Sequence, residues 1–236
     1  MEYNIFYISE NCNLDCKYCY EKNKKNPSMM SWDEFLKQLK KVKKGDKLIL
    51  YGGEPTLNWG LIEKICKNNI TKDYFTSITT NGTLIDREKL KFLIDNDIEV
   101  ALSFDGKRTT DKYRKEGITT KIFSLLQYCL DNKIINKITL SWVVHKENID
   151  DLAQDIHEII TKYPSIIKKI HLRPLDRNLK NKIIESCNYN FICHSFCETC
   201  SNQECKATIK PYRYFKKNKI ICSETSGIIG DFFHFD

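Results

Sequence analysis

The chain has 236 residues, 41% hydrophobic and 29% charged, with 38 Lys and Arg against 31 Asp and Glu for a net charge of +7. That apolar share excludes wholesale disorder, and no apolar run approaches the roughly 18 residues of a membrane-crossing helix. The opening stretch, MEYNIFYISENC, lacks the basic and long apolar regions of a secretory signal, which predicts a cytoplasmic location with reduced thiols. Only six of the basic residues are arginine, so the lysine excess reads as a solvated surface rather than a nucleic-acid face. The eleven cysteines, odd in number and without an export signal, argue for metal or redox chemistry over a disulfide framework.

In chain order, strand-like runs are predicted at Tyr3–Ile8, Lys47–Tyr51, Phe75–Thr80, Ile98–Phe104, Lys137–Val144 and Lys168–Arg173. Their starts lie about 33 residues apart on average, the size of a βαβ unit. Helical faces fall between them. Phe35, Leu36, Leu39 and Val42 share one side behind a Ser31–Glu34 capping box. Leu61, Ile62, Ile65 and Cys66 repeat the spacing, as do Ile122, Leu125, Leu126 and Cys129. Asn148 and Asp151 are expected to cap a helix carrying Leu152, Ile156, Ile159 and Ile160. Six β/α repeats are too few for a closed eight-fold barrel. The expectation is an α/β fold, an open partial (β/α)6 barrel over residues 1–176, with a small cysteine-rich metal-binding appendage at 177–236.

Each predicted strand ends in a polar cluster: C-N-L-D-C-K-Y-C, Y-G-G-E-P, T-T-N-G, S-F-D-G, V-V-H and H-L-R-P. Parallel β/α folds assemble their sites at the carboxyl ends of the strands, so six such clusters predict one active site. Cys12, Cys16 and Cys19 form C-x3-C-x2-C, three thiols suited to a soft metal or an iron–sulfur cluster. Spacing alone leaves structural zinc open as well.

The cysteine motif followed by Gly52, Gly53, Glu54 and Pro55 after the next strand resembles the radical S-adenosylmethionine (SAM) superfamily over roughly residues 3–175. The resemblance implies a [4Fe–4S] cluster on Cys12, Cys16 and Cys19, with SAM chelating the fourth iron. It further implies reductive cleavage of SAM to a 5′-deoxyadenosyl radical that abstracts hydrogen from a substrate. Gly52 and Gly53 are expected to let backbone approach the ligand, and Glu54 to accept a hydrogen bond from the SAM ammonium. By the same resemblance Tyr18 stands beside the adenine, Ser103 and Asp105 contact the ribose and methionine part, and Arg114 meets the SAM carboxylate. Asn81 and Leu172 are pocket positions. His145 and His171 sit at strand ends and are read as structural, Cys66 and Cys129 as core packing. No residue stands out as a catalytic base.

The tail holds Cys187, Cys193, Cys197, Cys200, Cys205 and Cys222. The C-x4-C at Cys200 and Cys205, with Cys222 closing an apolar hairpin-like stretch around 215–232, resembles a SPASM or twitch domain and implies an auxiliary [4Fe–4S] cluster. Six thiols suffice for one such cluster but not for two. The expected ligands are Cys197, Cys200, Cys205 and Cys222, with Cys193 a rival and structural zinc on the same four as the alternative. Relatives of this kind act mostly on peptides and proteins, by oxidation, cross-linking or epimerisation. The expectation is therefore a peptide-modifying enzyme. The chain starts at its first strand, so a separate leader-binding protein is expected to deliver the peptide, and flavodoxin or ferredoxin to supply electrons. The rivals are a small-molecule or nucleoside-precursor enzyme, an activator of a glycyl-radical enzyme, or a non-catalytic metal- or nucleic-acid-binding module.

Overall fold

A computed structural model describes residues 3–19, 26–163, 170–176, 179 and 221–222. The chain divides into two compact units, Met1–Ser103 with Asp111–Thr139, and Phe104–Thr110 with Leu140–Asp236. The elements run, in chain order, β1 (Tyr3–Ser9), α1 (Trp32–Leu39), β2 (Lys47–Gly52), a 3-10 turn (Pro55–Asn58), α2 (Trp59–Lys67) and α3 (Ile70–Asp73). They continue with β3 (Phe75–Thr80), α4 (Arg87–Asp95), β4 (Ile98–Phe104), α5 (Thr110–Tyr113) and α6 (Ile118–Asp131). A second 3-10 turn (Ile135–Lys137) precedes β5 (Ile138–Val144), α7 (Leu152–Lys162), β6 (Ile170–Pro174) and β7 (Ile221–Cys222).

In the first unit β1 to β4 pair in parallel and in sequential order, with Leu50 opposite Phe6 and Ile78, and Thr80 opposite Leu102. Among the described residues β1 has β2 as its one strand neighbour in the sheet, so it is an edge there and the sheet is open. Both faces of β2 are covered, which is why Leu48, Ile49 and Leu50 are all buried in a row instead of alternating. Phe35 and Leu39 of α1, Leu61, Ile62 and Ile65 of α2, and Ile122, Leu125 and Leu126 of α6 are the buried stripes of amphipathic helices, and the Phe35 ring meets Phe6 of β1 at 5.1 Å. The capping box of α1 forms as expected, with Ser31 N donating to Glu34 Oε2 at 2.7 Å and Glu34 N to Ser31 Oγ at 3.2 Å.

In the second unit β5 pairs with β6 and β6 with β7, both in parallel. Trp142, Val144, Ile156, Ile160 and Leu172 form its buried apolar set. Cys222 belongs to the two-residue β7 opposite Leu172. The remaining tail cysteines, Cys187, Cys193, Cys197, Cys200 and Cys205, lie outside the described residues, as does the rest of the expected hairpin.

Three expectations change. α1 ends at Leu39, so Val42 lies beyond its helical stripe. α4 was not foreseen, although Asp86 at its start accepts from Lys89 N at 2.7 Å and Leu90, Leu93 and Ile94 give it a buried face. Neither Asn148 nor Asp151 makes a side-chain cap for α7. Asn148 is instead buried, donating to the carbonyls of Asp105 (2.7 Å) and Val143 (2.8 Å) and accepting from His145 N (2.8 Å). A buried amide satisfied on both ends binds main chain more firmly than it could at a wet helix end.

Candidate active site

The loop after β1 carries Cys12, Cys16 and Cys19, all outside any disulfide, with Cys16 buried and Cys12 at the surface. Leu14 N donates to Cys12 Sγ at 3.4 Å and Cys19 N to Cys16 O at 3.0 Å, so the loop folds back on its own thiols. The Cys12 thiol is held above its ordinary pKa, first by desolvation and then by the nearby negative charges of Glu54 and Cys19, with the Leu14 amide pulling the other way. Among the described residues no three His, Cys, Asp or Glu side chains form a ready-made metal cage. The donor chemistry nonetheless fits an iron–sulfur group: three soft thiols on eight consecutive residues, one already accepting an amide N–H.

Several contacts hold this loop. β1 shifts register between Tyr7 and Ser9, a bulge that turns the chain off the strand edge. Gly53 N then donates to Ser9 O at 2.8 Å and Glu54 N to Asn11 O at 2.7 Å. The returning segment is pinned too, by Glu10 N to Ser28 O (2.8 Å), Met30 N to Ile8 O (3.1 Å) and the Asn58 amide, which donates to Ile8 O (2.7 Å) and Met30 O (2.9 Å). These contacts explain the paired glycines. A Cβ on Gly52, which sits at φ +136°, would lie 1.9 Å from Ser9 O, and one on Gly53 would lie 2.5 Å from Asn11 O. The close approach is thus to the chain's own thiol loop, where a side chain of any size is excluded.

Glu54 is fully buried, and its carboxylate is occupied by the chain. Oε1 accepts from Thr56 N (3.0 Å), Thr56 Oγ1 (2.5 Å) and Thr80 Oγ1 (2.7 Å), and Oε2 from Asn81 N (2.8 Å). Burial pushes its pKa up, and these four donors hold the rise back. Pro55 opens the 3-10 turn that Glu54 caps. Asn81, on the loop after β3, donates from Nδ2 to Asn13 Oδ1 at 2.9 Å, so the third strand also reaches the thiol loop.

On another side Lys17 N donates to Tyr113 O at 3.0 Å, the Tyr18 and Tyr113 rings stack at 6.4 Å and 26°, and the Arg114 guanidinium lies 5.7 Å from the Tyr18 ring centre. The first unit therefore gathers Cys12, Cys16, Cys19, Tyr18, Gly52, Gly53, Glu54, Pro55, Asn81 and Arg114 around one loop. Ser103 is half-buried on β4 of the same unit. In the second unit Asp105 is buried, its amide donating to Thr110 Oγ1 at 3.0 Å and its carbonyl accepting from Asn148 and Thr109. Leu172 is buried on β6, and His145 pairs with Glu147 at 2.9 Å. Asn13, Thr80, Thr83 and Tyr113 escaped sequence reasoning, although each stands inside or beside a position already singled out: Asn13 in C-N-L-D-C-K-Y-C, Thr80 in and Thr83 just after T-T-N-G, and Tyr113 next to Arg114.

The radical SAM superfamily model matches residues 6–159. GTP 3′,8-cyclase of Clostridium perfringens (strain SM101 / Type A) is 28% identical over an aligned length of 193 residues that covers 77% of this chain and 58% of that protein. The chain thus spans less than two thirds of that relative's length. Among solved structures, native anSMEcpe with bound AdoMet and Kp18Cys peptide superposes with a TM-score of 0.65 at 22% identity, covering 78% of this chain and 58% of that one. Streptococcus suis SuiB bound to precursor peptide SuiA gives a TM-score of 0.58 at 19% identity, over 77% and 40% respectively. These likenesses establish the open parallel α/β fold, a partial barrel. With a three-thiol loop clamped by its Gly-Gly-Glu-Pro neighbour and the family match running through both, the chain belongs to the radical SAM superfamily.

Proposed function

We propose that the chain is a radical SAM enzyme that modifies a peptide or protein, with Cys12, Cys16 and Cys19 holding the [4Fe–4S] cluster that the family implies. When bound, cluster and SAM supply a reductively generated 5′-deoxyadenosyl radical that removes a hydrogen atom from the substrate. The observation that carries this reading is the pair of bonds Gly53 N to Ser9 O and Glu54 N to Asn11 O, which hold the Gly-Gly-Glu-Pro loop against the entrance of the thiol loop.

The chain's own residues divide the work. Tyr18 offers an aromatic face and Arg114, beside it, a cation, so one molecule carrying an adenine and a carboxylate engages both. The backbone of Gly52 and Gly53 sets the distance between the β2 loop and the thiols. Glu54 braces that loop from within. Asn81 ties it to β3, and Ser103, Asp105 and Leu172 remain assigned to the SAM pocket. Cys197, Cys200, Cys205 and Cys222, with Cys193 as rival, are assigned an auxiliary cluster. An electron donor and a leader-binding protein complete the proposed partners. The peptide reading draws on anSMEcpe and SuiB, each solved with a peptide. The cyclase relative favours a second reading, a nucleotide-like small substrate.

Anaerobic reconstitution with iron and sulfide, followed by SAM and a reductant, should yield 5′-deoxyadenosine, and Cys16→Ala should abolish it. A wild-type chain that binds zinc and forms no 5′-deoxyadenosine refutes the enzyme reading. Iron counting separates the clusters: about eight iron atoms per chain in wild type and about four in Cys200→Ala support the auxiliary site, and about four in both eliminate it. Mass spectrometry of candidate peptides against nucleotides in the same mixture decides between the two substrate classes.

A further inference from the structure

At the Cys12 end of the thiol loop three side chains close a ring. Asn13 Nδ2 donates to Thr83 Oγ1 at 2.8 Å, Thr83 Oγ1 donates to Asn81 Oδ1 at 2.7 Å, and Asn81 Nδ2 donates to Asn13 Oδ1 at 2.9 Å. Thr83 N adds a fourth bond to Asn81 Oδ1 at 3.0 Å. Each amide uses both of its ends, so turning either one over sets donor against donor and acceptor against acceptor. The direction of donation runs one way around the ring, an arrangement in which each bond polarises the next. The members come from two loops 68 and 70 positions apart in sequence.

The ring stands on a rigid base. Asn81 is only 6% exposed, and its amide N–H is anchored to Glu54 Oε2 at 2.8 Å. Gly82 N donates to Thr80 Oγ1 at 3.1 Å, and Gly82 takes φ +76°, a turn that carries Thr83 back over Asn81. Asn13, by contrast, is exposed and immediately follows Cys12. An exposed loop position is thereby tied to a buried one. Side-chain bonds at so exposed a place contribute little to folding, and their consequence is geometric.

We propose that Asn13, Thr83 and Asn81 are positioning residues that set the Cys12 end of the thiol loop, so that Cys12 is presented to the metal before loading. This rests on the reading of Cys12 as a cluster ligand. Partners that orient a ligand in this way cost about tenfold or more in metal retention when removed.

The test uses the full chain, reconstituted anaerobically with iron and sulfide, in wild type, Asn13→Ala, Thr83→Val, the double variant and Thr83→Ser. The measurements are the rate of iron loss to a chelator, the electron paramagnetic resonance of the reduced protein with and without SAM, and the melting temperature of the cluster-free chain. Both single variants should lose iron about tenfold faster with a shifted resonance signal. The double variant should be no worse than either single one, because opening a ring once opens all of it. Thr83→Ser, which keeps the hydroxyl, should behave as wild type, and all cluster-free melting temperatures should agree. Wild-type iron loss and resonance in Thr83→Val and Asn13→Ala overturn the positioning role. A Cys12→Ala chain that keeps the full iron complement and resonance instead overturns the ligand reading beneath it, and the two failures are told apart by that variant alone.

Discussion

Replacing Glu54 by glutamine tests whether this carboxylate braces the protein or waits for a ligand. In the structure it accepts four hydrogen bonds, two of them from the backbone amides of Thr56 and Asn81, on opposite oxygens. Glutamine has one oxygen, so whichever way its amide turns, one of those buried N–H groups faces an NH2. An orphaned buried donor costs about 1–3 kcal/mol. The bonds that survive change from charge-assisted to neutral, a loss that relief from burying a charge roughly offsets. The expected net loss of about 1–3 kcal/mol corresponds to a melting temperature lowered by about 2–12 °C in a chain of this size. The sign of the pH dependence follows from burial. A carboxyl raised above its ordinary value holds its proton more tightly when folded, so wild type loses stability as pH climbs from the ordinary carboxylate range through the raised one. Glu54→Gln lacks that slope. The assay is thermal melting of the cluster-free chain from acidic to neutral pH, beside SAM affinity of the loaded enzyme. An unchanged melting temperature together with SAM affinity weakened tenfold would refute the brace and restore Glu54 as a ligand contact.

Gly53→Ala places a methyl 2.5 Å from Asn11 O and 2.7 Å from Glu10 O, both rigid backbone. The thiol loop must move, and iron uptake on reconstitution should fall at least tenfold; uptake equal to wild type would show that the clamp does not govern the loop. Cys66 and Cys129 are buried thiols with pKa values pushed up to about 11 and about 12 by desolvation, so at pH 8 each is almost wholly neutral and unreactive. Peptide mapping after iodoacetamide treatment of the folded, cluster-free chain should find Cys12 alkylated and these two intact until denaturant is added. Asn148→Ala leaves two carbonyls and the His145 amide without their side-chain partner, and should cost about 2–4 kcal/mol by denaturant titration; a loss below about 0.5 kcal/mol would mean water replaces it.

The strands and helices were legible wherever a local pattern carried them. β3 and β4 start and end as predicted, because each is a short run rich in β-branched and aromatic residues, β3 in Thr and Ile and β4 in an alternation of buried Ile98, Val100, Leu102 and Phe104 with half-buried neighbours. α4 was passed over because its short stripe of Leu90, Leu93 and Ile94 sits among charged residues, even though Asp86 marks its start. The thiol loop and the Gly-Gly-Glu-Pro loop were legible as well, since their chemistry lies in residue type and spacing over a few positions.

What spacing could not tell was the partner each polar group would find. The glycines expected to admit a ligand also admit Ser9 and Asn11, and the glutamate expected to meet an ammonium also accepts from Thr56, Thr80 and Asn81. Asn148, expected at a helix end, holds the main chain of Asp105 and Val143. The amino-acid sequence alone therefore determined which segments become strands and which loop bears the thiols, because those depend on neighbours a few residues away. Tertiary structure decided which donors meet which acceptors across the 26 to 70 positions separating Glu54 from Thr80 and Asn13 from Thr83. A hydrogen bond is chosen by distance and angle in space, and those exist only once β1, β2 and β3 lie side by side.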